Sequence, residues 1–254
     1  MPARIITRAD DAGSSQKANT AINNSLGAGF IKNVSLMACC KYIDEAASLM
    51  KDAKHICFGM HATLNAEWKN VKWGPLSMMV ADSGLVDANG FFWDSIKKFL
   101  ETKPEAKTAV KEYDAQLDRL VKLGFKISYV DSHMWEEGLI EGLTEMKKDW
   151  ATKKGLLYAG YFKSESGLNV NINADIDGIA AAFAAAAEGQ YIYVVHPSLY
   201  DPETFANDSV EHTAEKIARD RAREAEIVSD PSLMRKLFEA GVTALRYDCA
   251  EQTK

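Results

Sequence analysis

Short apolar, β-rich runs separated by segments with helical spacing constrain this chain more than any other feature. The runs are ARIITRA (3–9), NVSLMA (33–38), HICFGMHA (55–62), KISYVD (126–131), QYIYVVH (190–196) and VTALRY (242–247). Most of them are apolar almost throughout, as strands buried on both faces are, and such strands belong to parallel sheets. Between them QKANTAINNSLGAGF, YIDEAASLMKDA, KTAVKEYDAQLDRLVKLG, ADIDGIAAAFAAAAEG and SVEHTAEKIARDRAREAEIVS carry helical spacing. Strand then helix, repeated, implies parallel strands joined by right-handed crossovers. The expected fold class is therefore α/β, a TIM-barrel-like (β/α) barrel that is seven-stranded or irregular.

A chain of 254 residues fits one such barrel, so residues 1–254 are read as a single domain. Gly29, Gly124, Gly189 and Gly241 each follow a helical stretch and precede a strand, where left-handed C-cap glycines are expected. Residues 65–93 break the rhythm with aromatics, Gly and Pro in no clear period. They are predicted to form a long loop excursion over the barrel mouth, where functional loops collect.

Several function classes fall away on composition. A formal charge of −6 speaks against a phosphate-backbone binder, which shows a basic patch, so no nucleic-acid partner is expected. No run approaches a membrane span, and the start MPARIITRADD meets charge before any signal-peptide core could form. Cys39, Cys40, Cys57 and Cys249 form no CxxC pair and make a poor disulfide framework. A reducing cytoplasmic location is the expectation. No GxSxG, phosphate loop or dinucleotide fingerprint is present.

In βα folds the chemistry sits at the C-terminal ends of the strands. Asp10 and Asp11 end the first run, His61 the third, Asp131 and His133 follow the fourth, and His196 follows YIYVV. Three of the chain's five histidines thus occupy strand ends. A hard or borderline divalent cation takes carboxylate oxygen and imidazole nitrogen and keeps positions open for water and substrate. Asp11, His61 and His133 have the chemistry for that facial set. The cation would neutralise one aspartate and leave the other free to hold or accept a water proton.

Taken singly, each residue has a plainer explanation. ADDAGSS could cap the next helix, with Ser14 or Ser15 as alternative caps. A strand-end histidine is often a hydrogen-bonded structural residue, and His196 before Pro197 could be a turn residue. The run EKIARDRAREAE reads as a solvated helix face with i, i+4 ion pairs, from which Arg219 or Arg223 could reach the mouth. The coincidence of the acids and histidines at strand ends favours a functional site.

The ordered set RADDAGSS…ANTAI, FGMHATLN, YVDSHMW and VVHP resembles the YdjC-like (ChbG/HpnK) carbohydrate deacetylase family. The likeness spans the chain from Ile5 to Tyr247. The resemblance implies a TIM-barrel-like fold, a divalent metal held by one aspartate and two histidines, and removal of an acetyl group from an N-acetylated amino sugar or oligosaccharide. Carried over, Asp11, His61 and His133 correspond to the metal ligands, Asp10 to the general base and His196 to the general acid. The implied cofactor is one divalent ion, magnesium or zinc first, with manganese, cobalt and nickel as alternatives. The implied partner is a small carbohydrate.

Two departures stand out. Members often continue the fourth-strand motif as His-x-His-x-His, whereas here Trp135 and Glu137 follow His133. Arg8 stands where asparagine is common, and Ala12 where a bulky aromatic is usual. Trp135, Trp68 and Trp73 are candidate stacking surfaces for a sugar ring, and Glu137, Glu67 and Lys72 candidate hydroxyl partners. Alternative readings are a metal-dependent hydrolase of another acylated or glycosidic carbohydrate bond, and a non-catalytic sugar-binding barrel. Phe91, Phe92 and Trp93 either form a homodimer contact or pack on the barrel.

Overall fold

In the computed structural model, which describes residues 3–78, 83–134, 136–162, 164–207 and 211–252, the strands are β1 (Arg4–Ala12), β2 (Asn33–Leu36), β3 (Cys57–Ala62), β4 (Ile127–Ser132), β5 (Leu157–Tyr158), β6 (Gln190–Val195) and β7 (Thr243–Leu245). The helices are α1 (Gln16–Leu26), α2 (Ile43–Met50), α3 (Ile96–Thr102), α4 (Ala106–Lys122), α5 (Glu136–Leu139), α6 (Leu143–Lys154), α7 (Ile176–Ala184), α8 (Ala214–Ser229) and α9 (Pro231–Glu239). Every strand pair in the sheet is parallel.

The strand order is β5-β4-β3-β2-β1-β6, with β7 pairing the first residues of β1. Among the described residues no ladder joins β5 to β6, so the TIM-barrel-like sheet stays open there. Its seven strands meet the sequence expectation, but β5 is only two residues long. A strand that short has no periodicity to read, and it is absent from the sequence-based set. Helix α9 is the helical stretch expected before Gly241; Asp230 caps it and Pro231 begins it.

Local chemistry explains the elements that lead to the site. Ser15, in an extended conformation, accepts the Ala18 amide and caps α1. Asp10 and Asp11 are therefore released from capping and belong to the end of β1. Thr213 and Asp175 cap α8 and α7 in the same way. Gly29, Gly124 and Gly241 adopt positive φ as expected, but Gly189 does not. At Gly189 a Cβ would meet the Glu165 side chain at 2.7 Å, so close packing is what requires the glycine.

The described parts of the predicted excursion, residues 65–78 and 83–93, are irregular, with an isolated antiparallel bridge between Val86 and Phe92. Its anchors are buried Trp68, Trp73, Leu85 and Phe92. The buried Glu112 carboxylate of α4 accepts the Leu76 and Ser77 amides and ties the loop down. Phe91 remains partly exposed while Phe92 packs inward and the Trp93 indole donates to the Gly84 carbonyl. No helix among the described residues is long and apolar enough to cross a membrane.

Candidate active site

Asp11 stands in the left-handed region with φ 67°, a conformation uncommon for a residue with a side chain and concentrated at functional sites. The turn sends its carboxylate across the strand ends toward β3 and β4. Asp11 Oδ1 lies 3.6 Å from His61 Nε2 and 3.4 Å from His133 Nδ1. All three atoms are buried and lack a hydrogen-bond partner. Buried polar atoms are nearly always paired, so three orphans facing one another mark a place for a shared partner. Their mutual distances suit a single cation, and Asp11, His61 and His133 form one of two groups of metal-ligand type among the described residues. The second group, Asp10, His61 and Asp131, shares His61 with the first.

The surroundings orient these groups. Asp131 Oδ1 stands 3.1 Å from His61 Nδ1, on the opposite side of the ring from Asp11. Burial opposes charge on His61, yet the carboxylates of Asp131 and Asp10 raise its pKa to about 9. Burial likewise opposes ionisation of Asp131, but Arg8 and His61 hold its carboxyl well below the usual range. His133 Nε2 points to Glu67, with Oε2 at 3.7 Å, and the His133 ring meets Trp73 edge-on at 5.9 Å.

Asp10 is partnered on both oxygens. Arg8 Nε donates to Oδ1 and Nη2 to Oδ2, each at 2.7 Å. Asp10 Oδ2 also lies 3.9 Å from His61 Nε2. Across the mouth, Arg221 Nη1 reaches Asp11 Oδ2 at 3.3 Å and the His196 carbonyl at 3.4 Å. Burial, reinforced by the Arg221 guanidinium, lowers the His196 imidazole to about 4. Glu224 Oε2 accepts the His196 amide at 2.7 Å, and burial raises its carboxyl to about 7.

The proposed sugar contacts are placed unevenly. Trp68 is buried, edge-on to Phe205 at 5.2 Å, with the Arg221 guanidinium 5.9 Å from its ring centre. Trp73 is buried with its indole donated to the Asn65 carbonyl at 2.8 Å. Lys72 pairs with Asp94. Glu137 is held by buried Lys147 at 2.7 Å, by Ser132 and by Tyr158. Glu67 lines a small cavity of about 60 Å³ together with Trp93, Phe99 and Met134. Trp135 lies outside the described residues.

Sequence reasoning passed over Arg8, Arg221 and Glu224 as site residues and left Asp131 without a role. From α8 it was Arg221 that entered the mouth. Arg219 pairs with Glu215 on the exposed face, and Arg223 donates to the Ile172 and Ala174 carbonyls. The available signal was helical phase: Ala218, Arg221 and Ala225 are spaced by three and four residues, and both alanines are buried.

Residues 4–156 match the model of the YdjC-like protein family. The chain is 22% identical over 228 residues to a carbohydrate deacetylase of Thermoanaerobacter pseudethanolicus, covering 85% of this chain and 88% of that one. A carbohydrate deacetylase of Brevibacillus brevis is 28% identical over 130 residues, 51% of this chain and 48% of the relative. Among solved structures, an Enterococcus faecalis V583 protein assigned to cellobiose-phosphate cleavage superposes with a TM-score of 0.75 at 19% identity, covering 98% of both chains. That likeness supports the fold.

Proposed function

The chain belongs to the YdjC-like protein family, and from that premise we propose that it is a divalent-metal-dependent hydrolase that removes the acetyl group of an N-acetylated amino sugar or oligosaccharide. The observation that carries the reading is the convergence of Asp11 Oδ1, His61 Nε2 and His133 Nδ1, buried and unpartnered, on one point. One carboxylate oxygen and two imidazole nitrogens fit a borderline or hard cation such as zinc, magnesium, manganese, cobalt or nickel. When bound, such an ion supplies Lewis acidity to the acyl carbonyl and to the attacking water.

The chain's own residues then divide the proton work. Asp10, fixed by Arg8 beside the ligand cluster, takes the proton from the attacking water. The water oxygen adds to the acyl carbon, the C–N bond breaks, and the leaving amine needs a proton. His196 supplies it in this reading. With its imidazole lowered to about 4, His196 enters the cycle neutral, and the proton that Asp10 takes from the water passes through it to the departing amine. Arg221 and the tryptophan beside it wall the mouth, keeping the site dry enough for these charges to act strongly. Glu67, between His133 and the small apolar cavity, is the residue from the 65–93 excursion best placed to meet a substrate.

A panel of N-acetyl sugars, O-acetyl sugars and aryl glycosides, each assayed before and after chelation, tests the reading. Acetate and a free amine from the N-acetyl sugars alone, abolished by chelation and restored by metal, is the expected result. Cleavage of a glycosidic bond, or acetate release indifferent to chelation, contradicts it.

A further inference from the structure

His61 Nε2 faces two adjacent carboxylates at nearly equal range, Asp11 Oδ1 at 3.6 Å and Asp10 Oδ2 at 3.9 Å. The chain thus contains two overlapping sets of ligand type, Asp11, His61, His133 and Asp10, His61, Asp131. Distance to the shared histidine does not decide between them. Arg8 does distinguish them. Its Nε and Nη2 take both oxygens of Asp10 at 2.7 Å, and its Nη1 reaches Asp131 Oδ2 at 2.9 Å and the Tyr247 hydroxyl at 3.0 Å. The unpartnered atoms Asp11 Oδ1, His61 Nε2 and His133 Nδ1 all belong to the set of Asp11, His61 and His133, whereas no oxygen of Asp10 or Asp131 is left without a partner.

The guanidinium is well held. Tyr247 packs on Tyr129 and Phe162, with ring centres at 4.4 and 4.9 Å, and its amide donates to Asn33 Oδ1 at 2.8 Å. Asp131 is held further by the Ser35 hydroxyl at 2.8 Å. A fork with five fixed donors suits this arrangement, and an ammonium could not match both Asp10 oxygens at once. A positive charge lying between Asp10 and Asp131 also repels a cation from the second set.

We propose that Arg8 is a positioning residue that selects between the two ligand sets, sealing Asp10 and Asp131 with its guanidinium so that the cation takes Asp11, His61 and His133 and Asp10 stays available as a proton acceptor. The inference rests on the metal-centre reading above. It assigns a role to the arginine that stands where the resembled family commonly has asparagine.

Cobalt(II) as the probe ion reports its own ligands through its visible spectrum, independently of turnover. Wild type, Arg8→Gln, Arg8→Lys and Arg8→Gln with Asp10→Asn are loaded with cobalt(II), and spectrum, stoichiometry, kcat and KM for acetate release are measured. In Arg8→Gln, cobalt binding persists, the spectrum shifts as Asp10 joins the ion, kcat falls by about a hundredfold and KM stays within about twofold. Adding Asp10→Asn returns the spectrum toward wild type, a reversal that general loss of structure would not produce. Should Arg8→Gln fail to fold, Arg8→Lys is decisive: the retained charge keeps the protein folded, and loss of the fork still lowers kcat without raising KM. An unchanged spectrum and kcat in the folded Arg8 variant overturns this inference alone, as does a raised KM with kcat intact, which would make Arg8 a substrate contact. A wild type that takes up no cobalt overturns both this inference and the metal-centre reading.

Discussion

Asp131 grips His61 from behind, Oδ1 to Nδ1 at 3.1 Å, and so turns Nε2 toward Asp11. A carboxylate on the far nitrogen fixes ring orientation and tautomer and makes the facing nitrogen a better ligand. Replacing that aspartate by asparagine leaves the shape but presents the wrong partner for the imidazole N–H. Asp131→Asn is expected to lower metal affinity by about 10- to 100-fold with the fold retained, read by competition with a chromophoric chelator. Unchanged affinity would remove Asp131 from the site.

Proton and metal compete at His61. In the metal-free protein the imidazole titrates at about 9, above its ordinary 6.5, because burial is outweighed by Asp131 and Asp10. Its contribution to metal-free stability is therefore complete below about pH 6.5 and is lost as pH rises through about 9. Metal uptake must displace that proton, so apparent affinity is expected to rise by up to about tenfold per pH unit up to about pH 9. Calorimetry in buffers of differing ionisation enthalpy checks it. Uptake with no proton release at neutral pH would contradict it.

Glu137 was a candidate sugar contact, but Lys147, fully buried, shares it with Ser132 and Tyr158. Breaking a buried pair by removing one charge costs about 3–5 kcal/mol, and Glu137 keeps some solvent contact, which favours the lower figure. Glu137→Gln is expected to lose about 3 kcal/mol, a Tm drop of about 6–12 °C at this chain length, with KM little changed. A raised KM at unchanged Tm would restore the sugar-binding role.

Gly59 lies in β3 two residues before His61, and a Cβ there would come within 2.2 Å of the Tyr129 ring. Tyr129 is fully buried and its hydroxyl bonds Ser35, so it has nowhere to move. Gly59→Ala is expected to cost about 3 kcal/mol, the upper end for overpacking, read by denaturant titration. A neutral effect would mean that the ring can relocate.

The strand-end residues were legible because a buried parallel strand announces itself by continuous apolar sequence and the chemistry follows directly after it. Asp10, Asp11, His61 and His133 could be found that way. Arg8 lay in plain sight as a departure from the resembled motif, and the strand period of two puts it on the same face as Asp10; the partners that fix its other nitrogen, Asp131 and Tyr247, come from far along the chain and leave no local signal. Arg221 required the exact rotation of α8, set by packing against α1 from far along the chain. The Lys147 to Glu137 pair joins α6 to the short helix α5, a contact with no local signal. Gly189 was predicted from helix-end statistics and is instead required by Glu165 lying against it.

The most direct measurement is metal content and acetate release on the same preparations of wild type, Asp11→Ala and Asp10→Asn. Wild type is expected to carry about one divalent ion, as a single three-ligand site implies, and to release acetate from an N-acetylated sugar. Asp11→Ala should lose the ion, and Asp10→Asn should keep it while releasing no acetate. A wild type that binds no divalent metal when supplied with it, or an Asp11→Ala variant that keeps its ion, would contradict the assignment of Asp11, His61 and His133 as the metal centre.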